Sequence, residues 1–87
     1  MYIILVYDAD AKRDPKILKL CRRYLTWVQN SVFEGELTEA KYKMLKRELQ
    51  QLINAKEDSI VAYQLRTTHY YRRDIIGREK GGVTNLL

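Results

Sequence analysis

The ten residues VYDADAKRDP, Val6 to Pro15, hold three aspartates and two basic side chains. Carboxylates gathered in this way suit divalent-cation binding or phosphate handling, provided at least one sits on rigid backbone. Asp8 meets that condition. It directly follows the apolar run YIILVY, residues 2–7, which reads as a strand buried on both faces. Asp10 lies two residues further on in looser backbone. Asp14 stands before Pro15, and this pair reads as an N-cap followed by the first helical position. A single carboxylate holds Mg²⁺ weakly, but Mg²⁺ commonly takes one or two carboxylates plus waters and substrate phosphate oxygens. A two-fold dimer would supply the second acid as Asp8 of the other copy. The plainer alternative is that Asp8 only ends the strand and accepts hydrogen bonds from nearby backbone. Lys12, Arg13 and Lys16 follow and are candidates to neutralise phosphates beside such an ion.

Other chemistries lack their residues. One histidine, His69, and one cysteine, Cys21, make no zinc set. Cys21 falls in an apolar helical pattern and reads as an inert buried thiol. Ser31 and Cys21 have no evident base partner, no second strand-end acid suits glycosidase chemistry, and neither phosphate-binding glycine motif occurs. A second basic group, Arg66, Arg72, Arg73, Arg78 and Lys80, is interleaved with Tyr70 and Tyr71. It suits base stacking, and equally an edge charged against aggregation.

The elements that must carry these residues follow from pattern and size. Eighty-seven residues make one domain, and the net charge of +5 favours an anionic partner such as nucleic acid. An apolar fraction of 46% excludes a mostly disordered chain. No signal peptide or membrane-length apolar run is seen, so a soluble, cytoplasmic protein with no membrane partner is expected. A helix is predicted from Pro15 to about Leu25, with Ile17, Cys21, Tyr24 and Leu25 on one stripe, Leu18 beside it, and Lys16, Lys19 and Arg23 on another face. Residues Thr26 to Leu37, TWVQNSVFEGEL, have strand composition. They fit one long strand or a hairpin turning near Gln29-Asn30-Ser31. Thr38 caps a second amphipathic helix ending near Asn54, with Tyr42, Leu45, Leu49, Leu52 and Ile53 as its apolar stripe. Asp58 to Leu65 reads as a further strand, and Thr68 to Ile76 as a weaker one. Gly77 to Gly82 reads as flexible, and the closing VTNLL suits an added strand on this sheet or a partner's. The β-α-β-β-α-β order is the split βαβ arrangement, a ferredoxin-like α+β sandwich with both helices on one sheet face. In so short a chain a second copy is the simplest cover for the other face.

Over residues 2–65 the chain resembles the CRISPR-associated protein two family. The resemblance is carried by the strand ending in Tyr7-Asp8, the basic helix after it and, above all, VQNSVFEGEL at Val28–Leu37. It implies a ferredoxin-like homodimer with Asp8 of both chains around a shared Mg²⁺ or Mn²⁺. It implies a metal-dependent endonuclease acting on RNA or double-stranded DNA, and a bridging role in spacer acquisition beside the CRISPR integrase, CRISPR-associated protein one. Asp8 matches the family's acid, Phe33 its phenylalanine in the SVFE segment with Ser31 at its head, and Arg13 its loop arginine. The family's paired-arginine run reads Lys12-Arg13 here, and its glycine after the first helix is replaced by Thr26-Trp27. In that family the C-terminal strand often pairs with a partner chain, which VTNLL would fit. Two rival readings are a non-catalytic DNA-binding adaptor and a toxin-like RNA interferase on the same fold. An RNA-recognition module lacks an evident ordered aromatic pair.

Overall fold

A computed structural model describes residues 1–66 and 72–81. Its elements run β1(Tyr2–Asp8), α1(Asp14–Arg22), β2(Thr26–Gln29), β3(Val32–Glu36), α2(Glu39–Leu52) and β4(Ser59–Leu65). The four strands form one antiparallel sheet in the order β2-β3-β1-β4, the ferredoxin-like arrangement expected from the sequence. The most apolar strand, β1, lies between β3 and β4, where both of its hydrogen-bonding edges are satisfied.

Alternation along β1 divides its side chains between two environments. Ile3, Leu5 and Tyr7 point to the helices and are buried with Phe33, Ile17, Leu20, Cys21, Leu45 and Leu49. Ile4 and Val6 point to the opposite face and are half-buried. The expectation of a strand fully buried on both faces is therefore met along the helix side, and on the second face only at Tyr2. Val61 and Tyr63, the register partners of Val6 and Ile4, are 46% and 57% exposed on that second face.

The segment Thr26–Leu37 resolves as a hairpin. Asn30 and Ser31 connect β2 to β3, with Asn30 at φ 44°, a left-handed conformation that asparagine tolerates better than most residues. The Trp27 indole N–H donates to the Asn30 carbonyl at 2.8 Å and holds the turn.

Helix α1 differs from expectation at both ends. Its N-cap is Arg13 in helical conformation, with no side-chain cap. Arg13 and Asp14 N–H groups both donate to the Asp10 carbonyl, so the chain already turns before the helix and Asp14 is not left as the cap. The helix closes at Arg22 through tightened bonds from Arg23, Tyr24 and Leu25 N–H groups to Leu20 and Cys21 carbonyls. Leu25 is still buried, and so is Leu20, which lies outside the stripe read from sequence. Helix α2 follows its prediction: the Thr38 hydroxyl accepts from the Lys41 N–H at 3.1 Å, and Leu45 and Leu49 fill the core.

After β4 the described chain resumes at Arg72. Residues 72–76 lack regular structure, so the weaker strand expected over 68–76 is absent there, while 68–71 and VTNLL lie outside the described residues. Arg73 pairs with the buried Glu34 at 2.7 Å on the sheet's second face. Gly81 approaches β2 so closely that a Cβ there would meet the Trp27 carbonyl at 2.6 Å, which is why a glycine suits this position.

Phe33 is fully buried and stacks on Tyr7 with ring centroids 6.4 Å apart. Phe33→Ala should destabilise the fold by about 3–5 kcal/mol in urea unfolding, a large share of the stability of so small a domain.

Candidate active site at the Asp8 end of the sheet

The C-terminal end of β1 meets the start of β4, with Asp8 opposite Ser59. The Tyr7 N–H donates to the Ser31 carbonyl at 3.1 Å and extends the ladder toward the β2–β3 turn. Asp8 therefore leaves from the end of a central strand. Its side chain falls on the second face, in phase with Ile4 and Val6, and is exposed. Among the described residues its carboxylate accepts no hydrogen bond and forms no ion pair. The plainer role of accepting bonds from nearby backbone is not one it performs here.

Tyr7, one residue earlier, points the other way. It is buried against Phe33, and its hydroxyl is hydrogen-bonded to Asp14. Burial, reinforced by Asp14, raises its pKa well above the usual phenol value. Of the residues matched by family resemblance, Tyr7 and Phe33 thus belong to the core, while Ser31 forms the turn and supplies a backbone acceptor to β1. Burial likewise pushes the Cys21 thiol up to about 12, as expected for an inert core cysteine.

A second acid organises this end of the molecule. The Asp58 side chain, immediately before β4, is fully buried. One of its oxygens accepts from Arg13 Nε at 2.5 Å and from the Asn54 N–H at 2.8 Å. The other accepts from Arg13 Nη2 at 3.1 Å and from the Asp10 N–H at 3.0 Å. Arg13 Nη2 also reaches Glu57 at 2.8 Å. The Arg13 bonds hold the Asp58 carboxyl well below the usual range despite the opposing effect of burial, and the Asn54 and Asp10 N–H groups add to them. Asp58, and then Glu57, in turn raise the pKa of the Arg13 guanidinium.

Arg13 was expected to contact nucleic acid, but its guanidinium is directed into this internal ion pair. Lys12 and Lys16 remain exposed. The Lys12 N–H donates to the Asp10 carboxylate at 2.9 Å, closing a local turn. Lys16 lines a groove of about 430 Å³ between α1 and α2 with Lys19, Arg23, Glu48 and Leu52. Arg23 pairs with Glu48 across it at 2.9 Å. In the second basic group Arg66, Arg72, Arg78 and Lys80 are exposed, whereas Arg73 is engaged by Glu34. Tyr70, Tyr71 and His69 lie outside the described residues.

Sequence reading missed Asp58 as a functional candidate. Its partner Arg13 is 45 positions away, and no local pattern marks so distant a pair. The one available signal was an acid placed directly before a strand.

Among the described residues no three metal-ligating side chains come together within the chain. A carboxylate that is free among the described residues, on the sheet face away from the helices, nevertheless suits an ion that uses few protein ligands, for which another copy would supply the second carboxylate.

Comparison with known proteins agrees with this architecture. The family model for CRISPR associated protein Cas2 matches residues 1–73. A protein of Dictyoglomus turgidum named CRISPR-associated endoribonuclease Cas2 is 55% identical over 87 residues, covering 100% of both chains. One of the same name from Thermotoga maritima is 51% identical over 81 residues, covering 93% of each. A Cas2 crystal structure superposes with TM-score 0.87 at 36% identity, covering 100% of this chain and 98% of the other. Streptococcus pyogenes Cas2 superposes with TM-score 0.79 at 36% identity, covering 88% of this chain and 100% of the other.

Because Asp58 titrates lower in the folded than in the unfolded chain, its stabilisation is complete above about pH 4, the ordinary range of an Asp side chain. It is lost as pH falls through and below that value. Melting temperatures followed from pH 7 to pH 3 should fall more steeply for the wild type than for Asp58→Asn, which starts lower and lacks this titration.

Proposed function

The chain belongs to the CRISPR-associated protein Cas2 family, and on that premise we propose that it is a metal-dependent endonuclease of CRISPR spacer acquisition. It works as a homodimer and serves the CRISPR integrase as a bridge. The observation that carries this reading is the exposed Asp8 carboxylate, unpartnered among the described residues, at the end of the central strand and on the sheet face the helices leave open. Val61 and Tyr63 expose apolar surface on that same face, which suits burial against a second copy. RNA is the proposed substrate class, since the relatives from Dictyoglomus turgidum and Thermotoga maritima are named endoribonucleases. Double-stranded DNA is the alternative outcome of a substrate panel.

Asp8 of each protomer would hold Mg²⁺ or Mn²⁺ between the two chains. Two bare carboxylates about 4 Å apart repel by roughly 4 kcal/mol at an effective dielectric near 20, so the paired site favours a cation. When bound, the ion supplies polarisation of a phosphoryl oxygen and a water of lowered pKa. The chain's own residues do the rest. Rigid pairing of β1 on both edges holds Asp8 in place. Lys12, in the loop that follows Asp8, attracts and retains a phosphate of the bound strand, and Lys16, exposed on α1 beside the groove between the helices, adds to the positive charge that draws the strand in. The apolar sheet face, closed by the partner, limits water around the acids and strengthens their charge interactions.

One observation favours a second reading, the non-catalytic adaptor: the described residues of one chain hold no cluster of three metal ligands. Asp8→Ala separates the two. If the protein is an enzyme, Mg²⁺-dependent RNA cleavage falls to the level seen with chelator, while RNA binding in the absence of metal stays within about threefold of wild type. Cleavage that survives both Asp8→Ala and chelator rejects the active site proposed here. Binding should also weaken with salt. With Lys12 and Lys16 from two protomers on a single strand, log affinity against log salt should have a slope of about −3. The slope should flatten in a Lys12→Ala, Lys16→Ala double variant when measured by fluorescence anisotropy.

A further inference from the structure

We infer that Asp58 is a positioning residue for this site: its buried carboxylate fixes the path of the chain from Asp8 to α1, and with it the placement of Lys12 and Lys16 relative to Asp8. The inference rests on the endonuclease reading and adds to it a residue that touches neither metal nor substrate.

Among the described residues the loop Ala9–Arg13 has few other polar anchors. Its internal bonds converge on Asp10, whose carbonyl accepts from Arg13 and Asp14 and whose carboxylate accepts from Lys12. These bonds shape the loop without tying it to anything distant in sequence. The ties across the sheet come from Asp58, which holds the Asp10 N–H and the Arg13 side chain, and from Glu57 beside it. Asp58 is itself held by the Asn54 N–H and by its place directly before Ser59, the register partner of Asp8. The carboxylate thus joins the α2–β4 connection to the β1–α1 loop at the point where Asp8 leaves the sheet. Arg13 suits this task because its planar fork spans both oxygens of Asp58 and still reaches Glu57, which a lysine ammonium cannot do.

Full burial of the Asp58 side chain makes the arrangement unforgiving. A near-isosteric asparagine has only one acceptor oxygen, so at least one of the donors now facing the carboxylate loses its acceptor. A loop released in this way no longer holds Lys12, or the start of the helix that carries Lys16, at a fixed distance from Asp8, and misplacement of about 1 Å near reacting groups costs up to roughly 100-fold in rate.

The experiment compares purified wild type, Asp58→Asn, Arg13→Lys and Asp8→Asn, with folding and dimer content checked by circular dichroism and sedimentation. Single-turnover cleavage of an RNA oligonucleotide is measured in Mg²⁺, and affinity for the same RNA is measured with chelator. Asp58→Asn should cleave roughly 10- to 100-fold more slowly, with affinity within about threefold of wild type. Its Asp10 amide should exchange hydrogen faster while the central β1 amides stay protected. Arg13→Lys should show an intermediate loss, and it carries the test if Asp58→Asn folds poorly. A folded Asp58→Asn or Arg13→Lys dimer that cleaves at the wild-type rate, while Asp8→Asn is inactive, overturns the positioning role and leaves the endonuclease reading standing. If Asp8→Asn itself cleaves normally, the active site fails, and the role of Asp58 in it fails too.

Discussion

A carboxylate taken out of water must be met by donors, and at Asp58 they come from two separate loops. Arg13 precedes α1, Asp10 lies in the loop after β1, and Asn54 follows α2. The ion pair at its centre is buried on the acid's side and only partly exposed on the arginine's. Removing either partner would strand a charge, so the arrangement is self-enforcing. Its consequence is geometric. Two loops that belong to opposite halves of the sequence close over the same end of the sheet, and that end carries Asp8.

The rest of the fold makes this end well defined. β1 is hydrogen-bonded on both edges, so its last residue inherits the rigidity of the sheet instead of the looseness of a loop tip. The helix-facing side of β1 is locked by Tyr7 stacking on Phe33 and by the Tyr7 bond to Asp14, which ties the strand to the first turn of α1. Tyr7 and Asp8 are neighbours in sequence with opposite fates because successive strand side chains face opposite ways. The tyrosine becomes core and the aspartate is delivered to the open face. A one-residue shift of β1 would exchange them and remove the acid from any surface on which a second copy could meet it.

The open face is treated unequally along its width. Over β2 and β3 the tail comes back, with Arg73 on Glu34 and Gly81 against β2. Over β1 and β4 the apolar Val61 and Tyr63 stay exposed beside Ile4 and Val6. A buried acid such as Glu34 is acceptable in a sheet face when a cation reaches it, and the returning tail supplies one. Among the described residues the tail does not return over the half of the face that carries Val61, Tyr63 and Asp8.

Much of this could be read without coordinates. The β-α-β-β-α-β order, the Thr38 cap, the stripe of α2 and the position of Asp8 at a strand end are all properties of local periodicity and local chemistry, which act over a few residues. The hairpin at Asn30 was one of two open alternatives. Composition does not distinguish a long strand from two short ones, and what separates them is a single left-handed residue together with the strand pairing it permits. What tertiary structure alone decided was the use of charge. Lys12 and Arg13 are adjacent basic residues in one loop and look equivalent as written, yet one faces solvent and the other is drawn inward by an acid 45 positions later. Asp14 reads as a cap and instead bonds Tyr7, because the preceding turn had already begun the helix. An ionised side chain settles with whichever partner folding brings within about 3 Å, and that is a property of the chain's path through space, which no stretch of neighbouring residues encodes.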